Sequence, residues 1–223
     1  MTKVPRPGEV KTRLTPPLTP TEAAQLNVCF LKDLCGAISQ ATHQTLSRGV
    51  AIYTPSGSEA AYTNILPLGF SLIPQRGESF EDRLIFAAED LFTVGFESVC
   101  LINSDSPTVS DSSFVEAANE LAKPHDRIVL GPSVDGGYYL IGLKKLHRRV
   151  FENIDWSTDR VFGQTKERAA EIGVDVHELP VGLDVDDHSS LRQLYRELLE
   201  KPSRTRGVAP HTHSFLETLR VKL

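Results

Sequence analysis

Cysteine is scarce in this sequence, and long apolar runs and an excess of positive charge are absent. The three cysteines, Cys29, Cys35 and Cys100, form no metal-type pair, and an odd number of thiols without an apolar signal segment is typical of a reduced, cytoplasmic protein. No run approaches the roughly 18 apolar residues of a membrane span, so we expect no membrane partner. A net charge of −5 argues against binding to a nucleic-acid polymer, because such proteins neutralise phosphates with Lys and Arg.

What is present is the composition and the alternating pattern of an α/β protein. The chain has 223 residues, of which 40% are hydrophobic, and shows no internal repeat and no long linker, so we expect one domain spanning 1–223. Strands alternating with helices predict a mostly parallel sheet, and two consecutive strands around Asp135 predict an antiparallel member. Strand patterns occupy residues 49–55, 69–75, 98–107, 127–132, 137–143 and 174–180, and helical patterns begin near residues 20, 80, 111, 158 and 189.

The two ends of the chain lack this alternation. Residues 1–18 are rich in Pro, Gly and cations and predict a loop, which leads into a helix whose Thr19 and Glu22 have the spacing of a capping box. Residues 202–223 predict a C-terminal tail, in which SFLETLRVKL can form a last short helix. His211 and His213 lie two apart in this tail and could bind a metal, but exposed tail residues are the better interpretation.

The first stretch with recognisable chemistry is KVPRPGEVKTRL, residues 3–14. Pro7 and Gly8 predict a turn, and backbone N–H groups and cations in such a loop can hold a pyrophosphate. A solvated basic arm explains the same residues, and the loop by itself favours that simpler interpretation. The cations of the loop are Lys3, Arg6, Lys11 and Arg13.

The second stretch is LINSDSP, residues 101–107, in which Asp105 follows a buried apolar strand. Open α/β sheets bind ligands at the carboxyl ends of their strands, and a carboxylate there can hold Mg²⁺ or Mn²⁺, which bridges phosphate oxygens. A turn before Pro107 would need the same polar residues without any ligand. The stretch alone does not separate these two interpretations.

The third stretch is GLDVDDHSSL, residues 182–191, which precedes a helix. Asp187 is a plausible N-cap, whose charge the helix dipole favours. Asp184 and Asp186 alternate about Val185, so on an extended backbone they point the same way. Because capping needs only one of the three carboxylates, the other two are available as metal ligands.

A fourth stretch, LGPSVDGGYYLIGL at residues 130–143, places Asp135, Gly136 and Gly137 where a strand should begin. Interior glycines weaken a strand, so their presence indicates either a tight turn or a close approach of the backbone to something that is not protein. Tyr138 and Tyr139 then point to opposite faces of the strand. Packing explains Tyr139 best, and Tyr138 is kept as a site candidate.

In this order, PRPGEVKTRL, SDSP, LGPSVDGGYYLIGL, WSTDRVFGQT and LDVDD resemble the GT-A-fold glycosyltransferases of the arsenosugar-biosynthesis type. That family is related to the molybdenum cofactor and 2-phospho-lactate guanylyltransferases. The resemblance covers nearly the whole chain, and the combination of DGGYYLIGL with KTRL is quite specific. It implies a three-layer α/β/α nucleotide-diphospho-sugar transferase fold with a divalent metal, Mg²⁺ or Mn²⁺.

By position, the resemblance also implies roles for individual residues. Asp105 matches the metal-binding aspartate, Asp186 the second metal ligand, and Asp184 is a weaker candidate. Asp135 would face the reacting centre as a base on an acceptor hydroxyl or as a group that orients it. The nucleotide and its phosphates would contact Gly8, Lys11, Arg13, Gln75 and Gly77. The acceptor side would be lined by Gly136, Gly137, Tyr138, Trp156 and Thr158. For Trp156, a hydrophobic plug between subdomains is an alternative and is slightly favoured.

Two departures from the family pattern affect these expectations. The family begins with an apolar strand before the position of Lys3, where this chain offers only Met1 and Thr2, so we expect the first strand to be missing. A misplaced start codon or a truncated protein with a damaged nucleotide site would each explain that. The family usually has Gly at the position of Asn103, so the backbone before Asp105 is expected to differ.

Three functions are consistent with the sequence. The first is a metal-dependent glycosyltransferase that moves a sugar from a nucleotide-diphosphate donor to a small acceptor. The second is a nucleotidyltransferase that joins a nucleoside monophosphate to a phosphorylated small molecule. The third is a degenerate, non-catalytic nucleotide-binding member. The stretches WSTD and DGGYY favour sugar transfer, whereas the sequence does not specify the nucleotide, the sugar, the acceptor, the stereochemistry or the oligomeric state.

Overall fold

The computed structural model describes residues 1–200 and 207–219, and its strands and helices alternate as the sequence pattern predicts. The described strands are β1 (Thr2–Lys3), β2 (Val50–Thr54), β3 (Ser71–Pro74), β4 (Val99–Ile102), β5 (Arg127–Pro132), β6 (Tyr138–Leu143) and β7 (Asp175–Glu178). The described α-helices are α1 (Pro20–Thr42), α2 (Phe80–Val94), α3 (Asp111–Ala122), α4 (Val161–Glu171), α5 (His188–Tyr195) and α6 (Pro210–Thr218). A π-helical turn, Arg196–Glu200, continues α5.

The strands form two sheets that meet at the start of the chain. One sheet has the order β1-β2-β3 and is parallel, and the other has the order β4-β6-β5-β7. Strand β6 is antiparallel to β4 and β5, as the two consecutive strands around Asp135 predict. The amino group of Met1 donates a 2.7 Å hydrogen bond to the carbonyl oxygen of Ile102, which joins β1 to the end of β4.

Helices cover both faces of the sheets, which gives the expected three-layer α/β/α architecture. Alternate residues of one strand point to opposite faces, so Leu130 packs in the layer of α2 and α4 while Val129 packs in the layer of α1 and α3. Both side chains are fully buried. Full burial on two faces explains why the central strands are continuous apolar runs rather than alternating ones.

Local sequence signals set most of the helix boundaries. Thr19 and Glu22 form the predicted capping box of α1, and Pro20 occupies its first turn. Gly95 ends α2 in the left-handed conformation that glycine adopts most readily. Asp187 caps α5 by accepting a 2.8 Å hydrogen bond from the backbone N–H of Ser190, so one of the three neighbouring aspartates has the predicted capping role.

The first strand is present, which corrects the expectation that it is missing. Thr2 and Lys3 pair with Tyr53 and Thr54 of β2 in parallel register. A strand of two residues is enough to pair with β2 because the pairing continues at Val4, whose backbone N–H donates to the carbonyl oxygen of Thr54 at 2.9 Å. This short strand delivers the first loop to the edge of the sheet where β4 ends.

The C-terminal segment is also more ordered than a tail. Helix α6 begins at Pro210, so His211 and His213 lie in a helix rather than in an extended tail, and Leu216 is fully buried. The carboxylate of Asp33 on α1 accepts hydrogen bonds from the backbone N–H groups of His211 (3.0 Å) and Thr212 (2.7 Å). Pro210 in the first turn is a local start signal for α6, but its capping acceptor is the distant Asp33, and the apolar pattern alone places the start of the helix too late. The remainder of the predicted tail, 202–206 and 220–223, lies outside the described residues.

None of the helices among the described residues is long and apolar enough to cross a bilayer.

Replacing Asp33 by Ala tests this long-range cap. We expect Asp33→Ala to lower the free energy of unfolding by about 1–2 kcal/mol, because two backbone N–H groups of α6 lose their acceptor. Urea denaturation of the purified protein measures this. Glu167→Ala, which removes an exposed carboxylate from α4, is the control and should change the stability by less than about 0.5 kcal/mol. Equal midpoints for the two variants would show that the cap contributes nothing.

Candidate functional site

The first loop presents Lys11 at the carboxyl end of the sheet. Lys11 has a left-handed backbone (φ 49°) and precedes a short 3₁₀ turn, Thr12–Leu14. Leu14 is fully buried, so it anchors the turn in the core, while the side chain of Arg13 is 72% exposed. The ammonium group of Lys11 also lies 5.7 Å from the centre of the Phe30 ring on α1. The loop is therefore a packed element, and the simpler interpretation of a solvated arm does not describe Lys11.

Asp105 lies in the turn that follows β4, as predicted. Its backbone N–H donates a 3.3 Å hydrogen bond to the side-chain oxygen of Asn103, which forms an Asx turn. The hydroxyl of Ser104 donates to the Asp105 carboxylate at 3.2 Å. Asn103, which departs from the family pattern, thus stabilises the turn through its side chain.

Asp184 and Asp186 flank Val185, whose side chain is fully buried. The backbone N–H of Val185 donates a 2.9 Å hydrogen bond to the carbonyl oxygen of Asp105. This bond brings the segment alongside the turn after β4. As the alternation about Val185 predicts, both neighbouring carboxylates face the same way, toward Asp105.

Three carboxylates from two distant parts of the chain converge on one point. One oxygen each from Asp105, Asp184 and Asp186 lie within 4.8 Å of one another. Lys11 Nζ lies 2.7 Å from Asp105 Oδ1 and 2.9 Å from Asp186 Oδ1. Arg13 contributes a further ion pair to Asp186, with 2.9 Å between its Nη2 atom and Oδ2.

This concentration of charge perturbs the ionisation of the buried members. The pKa of Asp184 is raised to about 8, chiefly by burial and also by the charges of Asp105, Asp186 and Asp135, while Lys11 opposes the shift. Burial lowers the pKa of Lys11, but the charges of Asp105 and Asp186 outweigh burial and raise it. The cluster therefore contains more negative charge than Lys11 alone neutralises.

The donor set of this cluster suits a hard divalent cation. Carboxylate oxygens are the ligands that Mg²⁺ and Mn²⁺ prefer, and the three aspartates bring one such oxygen each to the same place. Asp184 Oδ1 is buried and has no hydrogen-bond partner among residues 1–200 and 207–219. A buried oxygen without a partner is costly, and a bound cation would satisfy it. Asp184, the weaker candidate in the sequence, thus fits the site as well as Asp186 does.

A cleft of about 260 Å³ opens beside this cluster. Lys11, Arg13, Asp105 and Asp186 line it, so the predicted phosphate-binding and metal-binding residues share one cavity. The cleft is also lined by residues that the sequence pattern does not single out as site residues, namely Glu9, Val10, Thr12, Asn27 and Ser104, and by Lys3. Asn27 lies in the middle of an amphipathic helix, where no motif distinguishes it from a core position.

Gly8, Gln75 and Gly77 lie outside the lining of that cleft. Gly8 forms the predicted turn with a φ of +79°, and Gln75 follows β3 with its N–H donating to the Tyr53 carbonyl oxygen at 2.7 Å. Gly77 has a φ of +101°, and a Cβ there would meet the backbone N of Arg83 at 2.8 Å. Close packing against the start of α2 therefore explains the glycine at position 77. Contacts of Gly8, Gln75 and Gly77 with a nucleotide stay predictions.

Contacts within the protein explain one of the two glycines in the turn around Asp135. Gly136 has a φ of +87°, and a Cβ there would collide with the backbone of Asp159. Its carbonyl oxygen also accepts a 2.9 Å hydrogen bond from the N–H of Phe162. The close approach is thus to another loop rather than to a ligand, which corrects the reason given for Gly136. For Gly137 the nearest obstacle is the Asp135 carboxylate at 3.4 Å, so this position has more room.

Asp135 itself is exposed, and its Oδ1 accepts a 3.1 Å hydrogen bond from the N–H of Gly137. Its charge contributes to the raised pKa of Asp184, so the two carboxylates interact electrostatically. Asp135 does not line the cleft, and its role toward the acceptor stays a prediction.

Tyr138 and Trp156 pack in the core more than the acceptor expectation implies. Burial raises the pKa of Tyr138 far above its usual value. The Trp156 ring packs edge-to-face on Phe80, with 4.9 Å between the ring centres. These contacts support the hydrophobic-plug interpretation of Trp156. Thr158 is exposed and donates a 2.7 Å hydrogen bond to the carbonyl oxygen of Asp155, and acceptor binding by all three residues stays a prediction.

With this geometry established, the chain can be compared with known proteins. The model of a family described as an uncharacterized protein conserved in bacteria (DUF2064) matches residues 37–158, which is more than half of the chain. The chain belongs to the DUF2064 family. The matched region of DUF2064 includes Asp105 and the turn around Asp135, whereas Lys11 and the aspartates flanking Val185 lie outside it. No curated protein matches the sequence.

Solved structures give the fold of this DUF2064 protein. A crystal structure from Desulfovibrio desulfuricans G20, assigned provisionally as a nucleotide-diphospho-sugar transferase, is similar with 29% identity and a TM-score of 0.85. The match covers 99% of this chain and 93% of that one. CMP:2-keto-3-deoxy-manno-octonic acid synthetase complexed with CTP has 13% identity and a TM-score of 0.49, with 76% of this chain and 88% of that chain covered. Rv0371c from Mycobacterium tuberculosis H37Rv has 17% identity and a TM-score of 0.45, with 72% and 82% covered. The fold is that of the nucleotide-diphospho-sugar transferases.

A pair of glycine substitutions tests the explanation of the turn. Gly136→Ala should lower the free energy of unfolding by roughly 2 kcal/mol or more, because alanine is strained at this φ and its methyl group meets Asp159. Gly163→Ala lies in α4, where a Cβ meets nothing within 4 Å, and should raise the stability by about 0.5 kcal/mol. Chemical denaturation of both variants measures the two effects. Effects of the same sign would contradict this account of Gly136.

Proposed function

We propose that this DUF2064 protein is a metal-dependent glycosyltransferase that moves a sugar from a nucleotide-diphosphate donor to a small acceptor. The observation that carries the proposal is the convergence of Asp105, Asp184 and Asp186 with Lys11 beside one cleft. A diphosphate leaving group is stabilised by positive charge. The three acidic oxygens would bind a cation that supplies such charge, and the lysine supplies more.

The relative from Desulfovibrio desulfuricans supports the same class of reaction. Its similarity extends over 99% of this chain, so it includes the first loop and the segment around Val185, which lie outside the DUF2064 match. Identity of 29% and a TM-score of 0.85 support a common architecture for the cleft. Fold alone does not define a reaction, so the proposal depends on the residues in the cleft.

Within the cleft, each charged group has a task toward the donor. Asp105, Asp184 and Asp186 would hold a divalent cation, and when bound it would supply positive charge to offset the negative charge developing on the leaving diphosphate. Lys11 and Arg13 provide further positive charge on the same side, and the exposed guanidinium of Arg13 is free to reorient toward a phosphate. Lys11 shares its carboxylate partners with the cation, so it holds these carboxylates together when no cation is bound.

Asp135 is proposed to act on the acceptor. Its exposed carboxylate would accept the proton of an acceptor hydroxyl, while the acceptor oxygen forms a bond to the anomeric carbon of the sugar. The bond from that carbon to the phosphate oxygen breaks, and its electron pair leaves with the nucleoside diphosphate. The hydrogen bond from Gly137 holds the carboxylate in place for this role.

A turnover assay tests the function. The protein is incubated with Mn²⁺ or Mg²⁺, a panel of nucleotide sugars and small hydroxyl acceptors, and release of nucleoside diphosphate is measured with the glycosylated acceptor. We expect metal-dependent release with at least one donor. Release of pyrophosphate from a nucleoside triphosphate, which sugar transfer does not produce, would instead identify the nucleotidyltransferase. No turnover and no metal-dependent shift in thermal unfolding with any nucleotide would favour the degenerate, non-catalytic member.

Isosteric substitutions test the roles of the carboxylates. Asp105→Asn and Asp186→Asn should each weaken metal-dependent nucleotide binding about ten-fold or more, because each removes a charged ligand of the cation. Isothermal titration calorimetry with and without Mn²⁺ measures the change.

Asp187→Asn is the matched control for these variants. It makes the same chemical change next to Asp186, but its side chain caps α5 and asparagine caps equally well, so binding and stability should not change. Equal binding by Asp105→Asn, Asp186→Asn and the wild type would remove the basis for a cation site.

A further inference from the structure

Asn27 is a buried amide on the face of α1 that points toward the cleft. It lies one helical turn before Phe30, whose ring is 5.7 Å from the Lys11 ammonium group. Only 4% of Asn27 is exposed, yet the residue lines the same cleft as Lys11, Ser104 and Asp105. Its small exposed fraction is therefore turned toward the cleft rather than toward bulk solvent.

The side chain of Asn27 forms no hydrogen bond with any residue in 1–200 or 207–219. Asp33 on the same helix is buried to a similar extent, at 7% exposed, but both of its carboxylate oxygens accept hydrogen bonds from α6. Neither Oδ1 nor Nδ2 of Asn27 belongs to the fully enclosed side-chain atoms that lack a partner, so the amide keeps contact with the solvent of the cleft and is available to a ligand there. Packing does not explain Asn27 either, since a leucine of similar size would suit a buried helix position better.

The surroundings of Asn27 indicate what its amide would bind. The cations Lys3, Lys11 and Arg13 and the carboxylates Glu9, Asp105 and Asp186 line the cleft in equal number. The divalent cation of the proposed function would make the balance positive, so the occupant that fits beside it carries negative charge. Toward an anionic oxygen, the amide of Asn27 acts as a donor through its N–H groups. Neutral donors placed among cations add direction to the recognition of a phosphate, because a hydrogen bond depends on angle more than a charge does.

We propose that Asn27 is a ligand-binding residue that donates a hydrogen bond to a phosphate oxygen of the nucleotide diphosphate. This inference rests on the proposed function, which places a diphosphate in the cleft. It adds a neutral contact from α1 to the groups on the first loop and on the turn after β4. The protein retains an amide without a protein partner at the edge of the cleft because the ligand completes its hydrogen bonds.

Two substitutions and a matched control test the proposal. The wild type is titrated by calorimetry with a panel of nucleoside diphosphates in the presence of Mg²⁺, and the tightest binder is then used for every variant. Asn27→Leu should weaken binding about ten-fold through loss of one charge-assisted hydrogen bond. Asn27→Asp should weaken it more, about a hundred-fold, because a carboxylate of the same shape repels the phosphate. Gln25→Leu removes an exposed amide from the same helix and should bind like the wild type.

Thermal unfolding without ligand separates a binding role from a structural one. Asn27→Leu should unfold at a temperature equal to or above that of the wild type, because it removes an unpartnered polar group. A lower unfolding temperature would overturn the inference, since it would show that the protein itself uses the amide. Asn27 variants that bind like the wild type would also overturn it and would leave the proposed function intact. A wild type that binds no nucleoside diphosphate would overturn both.

Discussion

The backbone of Val185 is the element on which the arrangement of the cleft depends. Its N–H donates to the carbonyl oxygen of Asp105 at 2.9 Å, and its carbonyl oxygen accepts from Lys11 Nζ at 2.7 Å. Because its side chain is fully buried, the position of this backbone is set by the core rather than by the charged groups around it. Three segments that are distant in sequence thus meet through one residue. Carboxylates placed by a rigid core are suited to hold a cation, since their convergence does not have to be created during binding.

The cleft combines several features that lower stability. One oxygen each of three carboxylates lie within 4.8 Å of one another, a buried carboxylate oxygen of Asp184 has no partner among the described residues, and the amide of Asn27, at the edge of the cleft, has no protein partner among them. Such features cluster at sites where a ligand supplies the missing interactions. Lys11 limits the repulsion by bridging Asp105 and Asp186, which keeps the cluster compact.

The architecture explains why these groups gather at one edge. Strand β1 lies between β2 and the end of β4, so the loop that follows it emerges beside the turn after β4. Ligands of open α/β sheets bind at this carboxyl end, where turns carry side chains that the strands hold rigidly. The solved relative with a TM-score of 0.85 shares this fold over nearly its whole length. The DUF2064 match covers only the middle of the chain, whereas the cleft also depends on its beginning and on the segment around Val185.

The sequence by itself determined the features that arise from local physics. Periodicity located the strands and helices, turn and cap chemistry placed Thr19, Gly95 and Asp187, and alternation about Val185 oriented two aspartates correctly. Tertiary structure alone decided that a two-residue β1 suffices, that Asp33 caps α6, and that Gly136 is required by Asp159. It also decided that Asn27 faces a cleft. The physical reason is that such roles depend on contacts between residues far apart in the chain, and no local pattern records which neighbour a folded backbone will bring close.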